Sequence, residues 1–245
     1  MDNGKRYGAE FLGTLLLVFF GVGSAIAARV EGGVVVVALA FGLTLLALVY
    51  ALGPVSGSHV NPAVTLGALV SGRLAFRDAV GYWIAQAVGA TVAALLLRML
   101  VEWGGVEDQT GVLGTNGYGE NISAGGTMLL ETVLTFLLVL VVLVTTGRTE
   151  NTGLAAVLVG MTIAACHLVG VALDGTSVNP ARSLGPALFE GGAALSQLWV
   201  FILFPLFGGL LAALALPLIG LNSAHPGSAH AGSAHPGQET PPPAG

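Results

Sequence analysis

Apolar residues fill six long blocks of this chain, from about Tyr7 to Ala28, Val34 to Leu52, Val80 to Leu100, Thr127 to Thr146, Thr152 to Leu173 and Gln197 to Ile219. Each approaches the ~20 residues that an α-helix needs to cross the hydrocarbon core, and none carries the broad polar stripe of a helix with one wet face. The pattern predicts six membrane-spanning helices. Polar residues and glycines punctuate them. Arg29 and Glu31 follow the first, Gly53-Pro54 closes the second, and Arg73, Arg77 and Asp78 precede the third. A long acidic, Gly-rich loop covers Glu102 to Gly126, and a tight turn covers Gly147 to Asn151. Pro205 and Pro217 fall in or near the sixth block, where a membrane helix tolerates them.

Two shorter stretches break the pattern: Ser58-His59-Val60-Asn61-Pro62-Ala63-Val64-Thr65 and Thr176-Ser177-Val178-Asn179-Pro180-Ala181-Arg182-Ser183. Each carries Asn-Pro-Ala at the end of a polar, Gly-bearing loop. Asn is a good N-cap and Pro is favoured at the first helical position, so each tripeptide reads as a helix start. The helices run from Ala63 to about Val70 and from Ala181 to about Phe189, far too short to span.

The motif is one part of a longer repeat. Glu10 with Thr14 recurs as Glu131 with Thr135, and Gln86 three before Gly89 corresponds to Pro205 three before Gly208, at an offset near 120 residues throughout. This indicates duplicated halves of about 7–100 and 127–219. Three spans per half is an odd number, so the second half enters from the opposite face and the repeat is inverted. The expected fold is an all-α membrane protein: six transmembrane helices plus two re-entrant half-helices within residues 1–222. The half-helix N-termini meet near the midplane.

Composition agrees. Of 245 residues only 9% are charged, against roughly a quarter in soluble domains, and the mean hydropathy is +0.86. No basic face suggests nucleic acid. The single Cys166 excludes an intrachain disulfide and a Cys-cluster metal site, and no cofactor or metal is expected. Ala25-Ile26-Ala27 resembles a signal-peptidase site, but the run before it is long enough to span, contains Glu10 and belongs to the repeat, so it is expected to stay. Lys5, Arg6, Arg73, Arg77 and Arg148 fall on one side of the spans; Arg29, Arg98 and Arg182 fall on the other. The first side is cytoplasmic by the positive-inside rule, which puts both termini inside and the loop with Glu102, Glu107, Asp108 and Glu120 outside. Residues 223–245 repeat Ser-Ala-His around Pro and Gly and are expected to be disordered. His225, His230 and His235 there read as a solvated tail rather than a metal tract.

The chemistry concentrates on the two loops. Non-helical backbone at membrane depth survives only where it is buried or lines a water cavity, so the loops argue for a pore or a site. Two helix N-termini facing one point make a positive midplane, and Asn61 and Asn179 add carboxamide N–H donors; each Asn is either a cap alone or a pore-lining group as well. Arg182 lies one turn after Asn179, and a charge inside a membrane is a functional hypothesis by default. His167 is either pore-lining or a helix–helix bond. Glu10 and Glu131 are either proton relays or acceptors for loop N–H groups that no helix satisfies; one per half favours the second. Cys166 precedes His167 by about 100° of helix and should face neighbouring helices.

The paired motifs Asn61-Pro62-Ala63 and Asn179-Pro180-Ala181-Arg182-Ser183, with Glu10 and Glu131, resemble the aquaporins, or major intrinsic proteins, over about Tyr7 to Ile219. Val37-Ala38-Leu39-Ala40-Phe41-Gly42 and Asn116-Gly117-Tyr118-Gly119-Glu120 are similar to bacterial water-conducting members. The resemblance implies a homotetramer with one pore per subunit. It also implies an outer constriction of an aromatic, a His, a small residue and an Arg, matched by Phe41, His167, Thr176 and Arg182. Glycerol-conducting relatives have a Trp, a Gly and a Phe with the Arg, then an Asp; here Ser183 follows. Thr176 stands where many relatives have a mercury-sensitive Cys, and Phe11 where the bacterial water channel has one. The expectation is a passive water channel of the cell membrane, not an enzyme, with Arg182 and His167 donating to water. Its rivals are a channel for small neutral solutes and a proton-coupled transporter using Glu10 or Glu131.

Overall fold

The structure, a computed structural model, describes residues 3–27, 33–148 and 151–221. The loop with Arg29 and Glu31, the turn at Thr149 and Glu150, and the tail with His225, His230 and His235 lie outside the described residues. The helices are α1 Asn3–Ala27, α2 Gly33–Ser56, α3 Pro62–Val70, α4 Phe76–Glu102, α5 Ala124–Arg148, α6 Thr152–Asp174, α7 Pro180–Glu190 and α8 Gly192–Ala215, followed by a 3-10 turn at Pro217–Ile219. Among the described residues there is no strand. Six helices are long and apolar enough to cross a membrane, and the order long, long, short, long occurs twice.

Two boundaries differ from the sequence pattern. Helix α2 does not stop at Gly53-Pro54 but continues to Ser56. Pro54 lacks only its own donor, and Gly57 N–H still reaches the Gly53 carbonyl at 2.9 Å, so the ladder closes behind the proline. Helix α4 starts at Phe76 and takes Arg77 and Asp78 into its first turn. A carboxylate is favoured there by the helix dipole, and Asp78 also pairs with Arg6 of α1 at 2.9 Å.

Lipid offers no hydrophobic force between helices, so close backbone approach and polar contacts hold the bundle. Helix α1 packs on α4, α5 on α8, and α2 on α6. A Cβ at Gly89 would collide with the Phe11 carbonyl of α1, and one at Gly208 with the Thr132 carbonyl of α5. The short helices cross over: α3 packs on α8, and α7 on α4. Gly209 abuts the Ala63 carbonyl and Gly185 the Ala90 carbonyl at these crossings. Leu17, Val18, Phe41, Leu138 and Val159 sit in the buried core, while Leu43, Leu129, Met161 and Leu203 point outward and exposed. An apolar exterior of that extent suits a protein solvated by acyl chains.

Candidate functional site

The loops before α3 and α7 have the same backbone. Ser58 and Val60 have φ of 49° and 44°; Thr176 and Val178 have 49° and 47°. Branched side chains rarely adopt this left-handed region, and such residues persist only where the surroundings hold them. Two buried glutamates do so. Glu10 Oε1 accepts from His59 N–H at 2.9 Å and Ser56 Oγ at 2.7 Å; its Oε2 accepts from Val60 N–H at 2.7 Å and Gln86 Nε2 at 2.8 Å. Glu131 accepts from Ser177 N–H at 2.6 Å and Val178 N–H at 2.8 Å. These amides have no helical partner, and the carboxyl oxygens supply the acceptors they lack.

Each asparagine acts in two ways. Asn61 Oδ1 accepts from Ala63 N–H at 2.8 Å, and Asn179 Oδ1 from Ala181 N–H at 3.0 Å and Arg182 N–H at 3.3 Å, so both cap their helices. Asn61 Nδ2 donates to the Val178 carbonyl at 2.7 Å, and Asn179 Nδ2 to the Val60 carbonyl at 2.8 Å, which ties the loops to each other. A carboxamide nitrogen has two hydrogens, so one remains on each. Both residues line a narrow passage of about 20 Å³, with the loop residues Gly57 to Val60 and the apolar Leu17, Leu45, Leu138 and Ile163. That volume holds about one water at a time.

Three of the four residues expected at the outer constriction meet. The rings of Phe41 and His167 stack at 3.9 Å with 23° between planes, and the Arg182 guanidinium carbon lies 5.6 Å from the Phe41 centroid. Thr176 is buried with its hydroxyl unpartnered, against the place a Gly170 side chain would take, one turn along α6 from His167. Arg182 is fixed by oxygens rather than by a paired carboxylate. Its Nη1 donates to the Gly114 carbonyl at 2.9 Å and Asn116 Oδ1 at 2.7 Å, and its Nη2 to the Gly175 carbonyl at 3.3 Å. Its Nε has no protein partner.

His167 corrects the sequence reading of it as a donor. Nδ1 lies 2.8 Å from the Ile163 carbonyl, which can only accept, so Nδ1 carries the proton. The unpartnered Nε2 of the neutral ring is then an acceptor.

Sequence reasoning missed Asn116 as part of the site. Besides Arg182, its Oδ1 accepts from Ser183 Oγ at 2.8 Å, and its Nδ2 donates to the Asp174 carbonyl at 3.2 Å. The signals were an amide residue between glycines in a long loop and the likeness of the stretch from Asn116 to Glu120 to bacterial relatives, neither of which pointed to Arg182. Cys166 is buried, with Sγ 3.5 Å from the Leu134 carbonyl of α5, away from the passage. Two wider spaces are present, and the first shares Gly57, His59 and Val64 with the cavity of about 20 Å³. One of about 430 Å³ is lined by Arg6, His59 and Arg73 and also by Leu221, so both ends of the described chain reach the same mouth. Another of about 520 Å³ holds Asn116, Asp174 and Arg182.

Six membrane-length apolar helices packed around two buried loops, which their asparagines tie together, define a multi-pass membrane protein. The model of the family described as "Major intrinsic protein" matches residues 1–216. Aquaporin Z of Brucella melitensis is 44% identical over 219 residues, covering 86% of this chain and 95% of that protein. The chain belongs to the major intrinsic protein family, the aquaporins, which are channels and not enzymes. Glycerol uptake facilitator protein-like 6 of Lactiplantibacillus plantarum is 42% identical, covering 88% of this chain and 98% of its own. The aquaglyceroporin from Plasmodium falciparum has the same fold, with a TM-score of 0.79 at 22% identity over 90% of this chain and all of that one.

Proposed function

We propose that this chain is a passive water channel that follows osmotic gradients and excludes protons and ions. Relatives named for water and for glycerol resemble it about equally, so the relatives do not decide between these solutes. The observation that carries the reading is the constriction: two polar groups, His167 stacked on Phe41 and Arg182 beside the same ring, crowd the one apolar face that Phe41 offers a carbon backbone. Thr176 completes the set. Water, which donates and accepts, suits the Arg182 donor and the His167 acceptor. Asn61 and Asn179 turn the central water's oxygen toward their free N–H groups, so it donates outward to both neighbours and the proton relay reverses there. The positive ends of α3 and α7 oppose a cation at the same point. Glu10 and Glu131 brace the loops. Two Asn side chains crossing between the halves support the inverted repeat of about 7–100 and 127–219 within a channel domain of 1–222. The family resemblance supports a homotetramer in the bacterial cell membrane, and the basic residues near Arg6, Arg73 and Arg77 support cytoplasmic termini.

The test is stopped-flow light scattering of proteoliposomes under sucrose and then glycerol gradients, with a pH dye under a potassium-diffusion potential. High water flux with low glycerol and no proton entry above empty liposomes is expected. Glycerol flux as fast as water, or rapid proton entry, would overturn the reading in favour of a solute channel or a coupled transporter respectively.

A further inference from the structure

A fourth cavity lies on the outside of the bundle, where the two short helices meet the lipid-facing surface. It measures about 260 Å³ and is lined in matched pairs: Leu66 with Leu184, Trp83 with Ile202, and Ala87 with Leu206, each pair separated by close to 120 residues. Pro62 and Pro180, the first residues of α3 and α7, also line it. Its one side-chain polar hydrogen, on the Trp83 indole, already donates to the Pro62 carbonyl at 3.2 Å. A buried water needs two to four polar partners and finds none there.

We infer that this cavity is a binding site for the terminal part of a lipid acyl chain. Two features name the occupant. The cavity is continuous with the lipid-exposed surface of α4 and α8, where Ile84, Val88, Leu203 and Phe207 stand exposed beside it. Its paired lining also puts it on the axis relating the two halves, which is the middle of the membrane, where chain ends rather than headgroups lie; this depth rests on the inverted-repeat reading above. A methylene is about the size of a water, roughly 30 Å³, so the cavity takes a chain segment of roughly eight carbons. The occupant touches the first turns of both short helices from behind, opposite the passage.

Trp83 is a built-in reporter. In a Trp103→Phe/Trp199→Phe background it is the single tryptophan. Reconstituted in phosphatidylcholine brominated near the chain ends, its fluorescence should be quenched at least twofold more than by chains brominated near the headgroup. Ala87→Leu and, separately, Leu206→Phe fill the cavity and should reduce chain-end quenching by half or more. Equal quenching by the two lipids, or quenching that neither filled variant changes, overturns the proposal, since Trp83 would then meet only passing lipid. The readout needs no flux, so its failure is distinct from failure of the water-channel reading.

Discussion

Gly21→Ala should disturb the constriction from a helix that does not line it. Gly21 lies on α1, and a Cβ there would overlap the Cε1, Cζ and Cδ1 atoms of Phe41. The ring is already in contact with His167, stacked at 3.9 Å. The methyl therefore displaces the Phe41 ring and disturbs its packing with His167 and Arg182. Overpacking of this kind typically destabilises by about 1–3 kcal/mol. If about 1.4 kcal/mol of it enters the barrier to permeation, water flux falls roughly tenfold. Stopped-flow light scattering of equal amounts of folded protein measures the loss. The decisive comparison is made in a Phe41→Ala background, where the added methyl has nothing to push. There Gly21→Ala should leave water flux unchanged within about twofold. A tenfold loss that persists without the Phe41 ring, or no loss in its presence, refutes the argument.

Other outcomes follow from the same geometry. Phe41→Ala/His167→Gly should raise glycerol permeability well above wild type in the same vesicle assay, and no increase would count against the constriction as the size filter. Asn61→Asp places an anion at the midplane and should admit cations in a dye-monitored proton-entry assay, provided the variant folds; a folded variant as tight as wild type would speak against the electrostatic barrier. Glu131→Ala orphans the Ser177 and Val178 amides at about 1–3 kcal/mol each, and should lower the thermal unfolding midpoint in detergent clearly, whereas an unchanged midpoint contradicts the bracing role. Mercury should inhibit weakly, because Cys166 faces Leu134; strong reducible inhibition that vanishes in Cys166→Ser would place the thiol in the passage.

Much of the fold was legible because each signal is local. Span length, Asn-Pro-Ala as a cap followed by a first-turn proline, and a repeat at fixed offset all lie along the chain. The α2 ending was misread, because a proline close to a helix end removes one bond and need not stop the helix. The site was legible in parts. Arg182 stood out as a charge in an apolar setting, while Phe41 and Thr176 came forward only through family resemblance, since an apolar Phe and a loop Thr carry no mark of their own. Gly21 behind Phe41 and Asn116 beside Arg182 were invisible because their partners lie 20 and 66 residues away, in contacts that no periodicity encodes. The direction of the His167 bond was equally hidden: it depends on one carbonyl a helical turn earlier.

The crossing of the short helices has a consequence for how the molecule is made. Helix α3 rests on α8, whose backbone carries Gly209, some 140 residues after α3 leaves the ribosome. Its Asn61 amide likewise waits 117 residues for the Val178 carbonyl. The early half is thus an unfinished lock awaiting a key cut last. Contacts of such sequence separation delay folding, and a chain stalled before α8 has its first re-entrant helix in the bilayer without a seat. The contacts that tie the two loops together therefore form only after residues of both halves have been made.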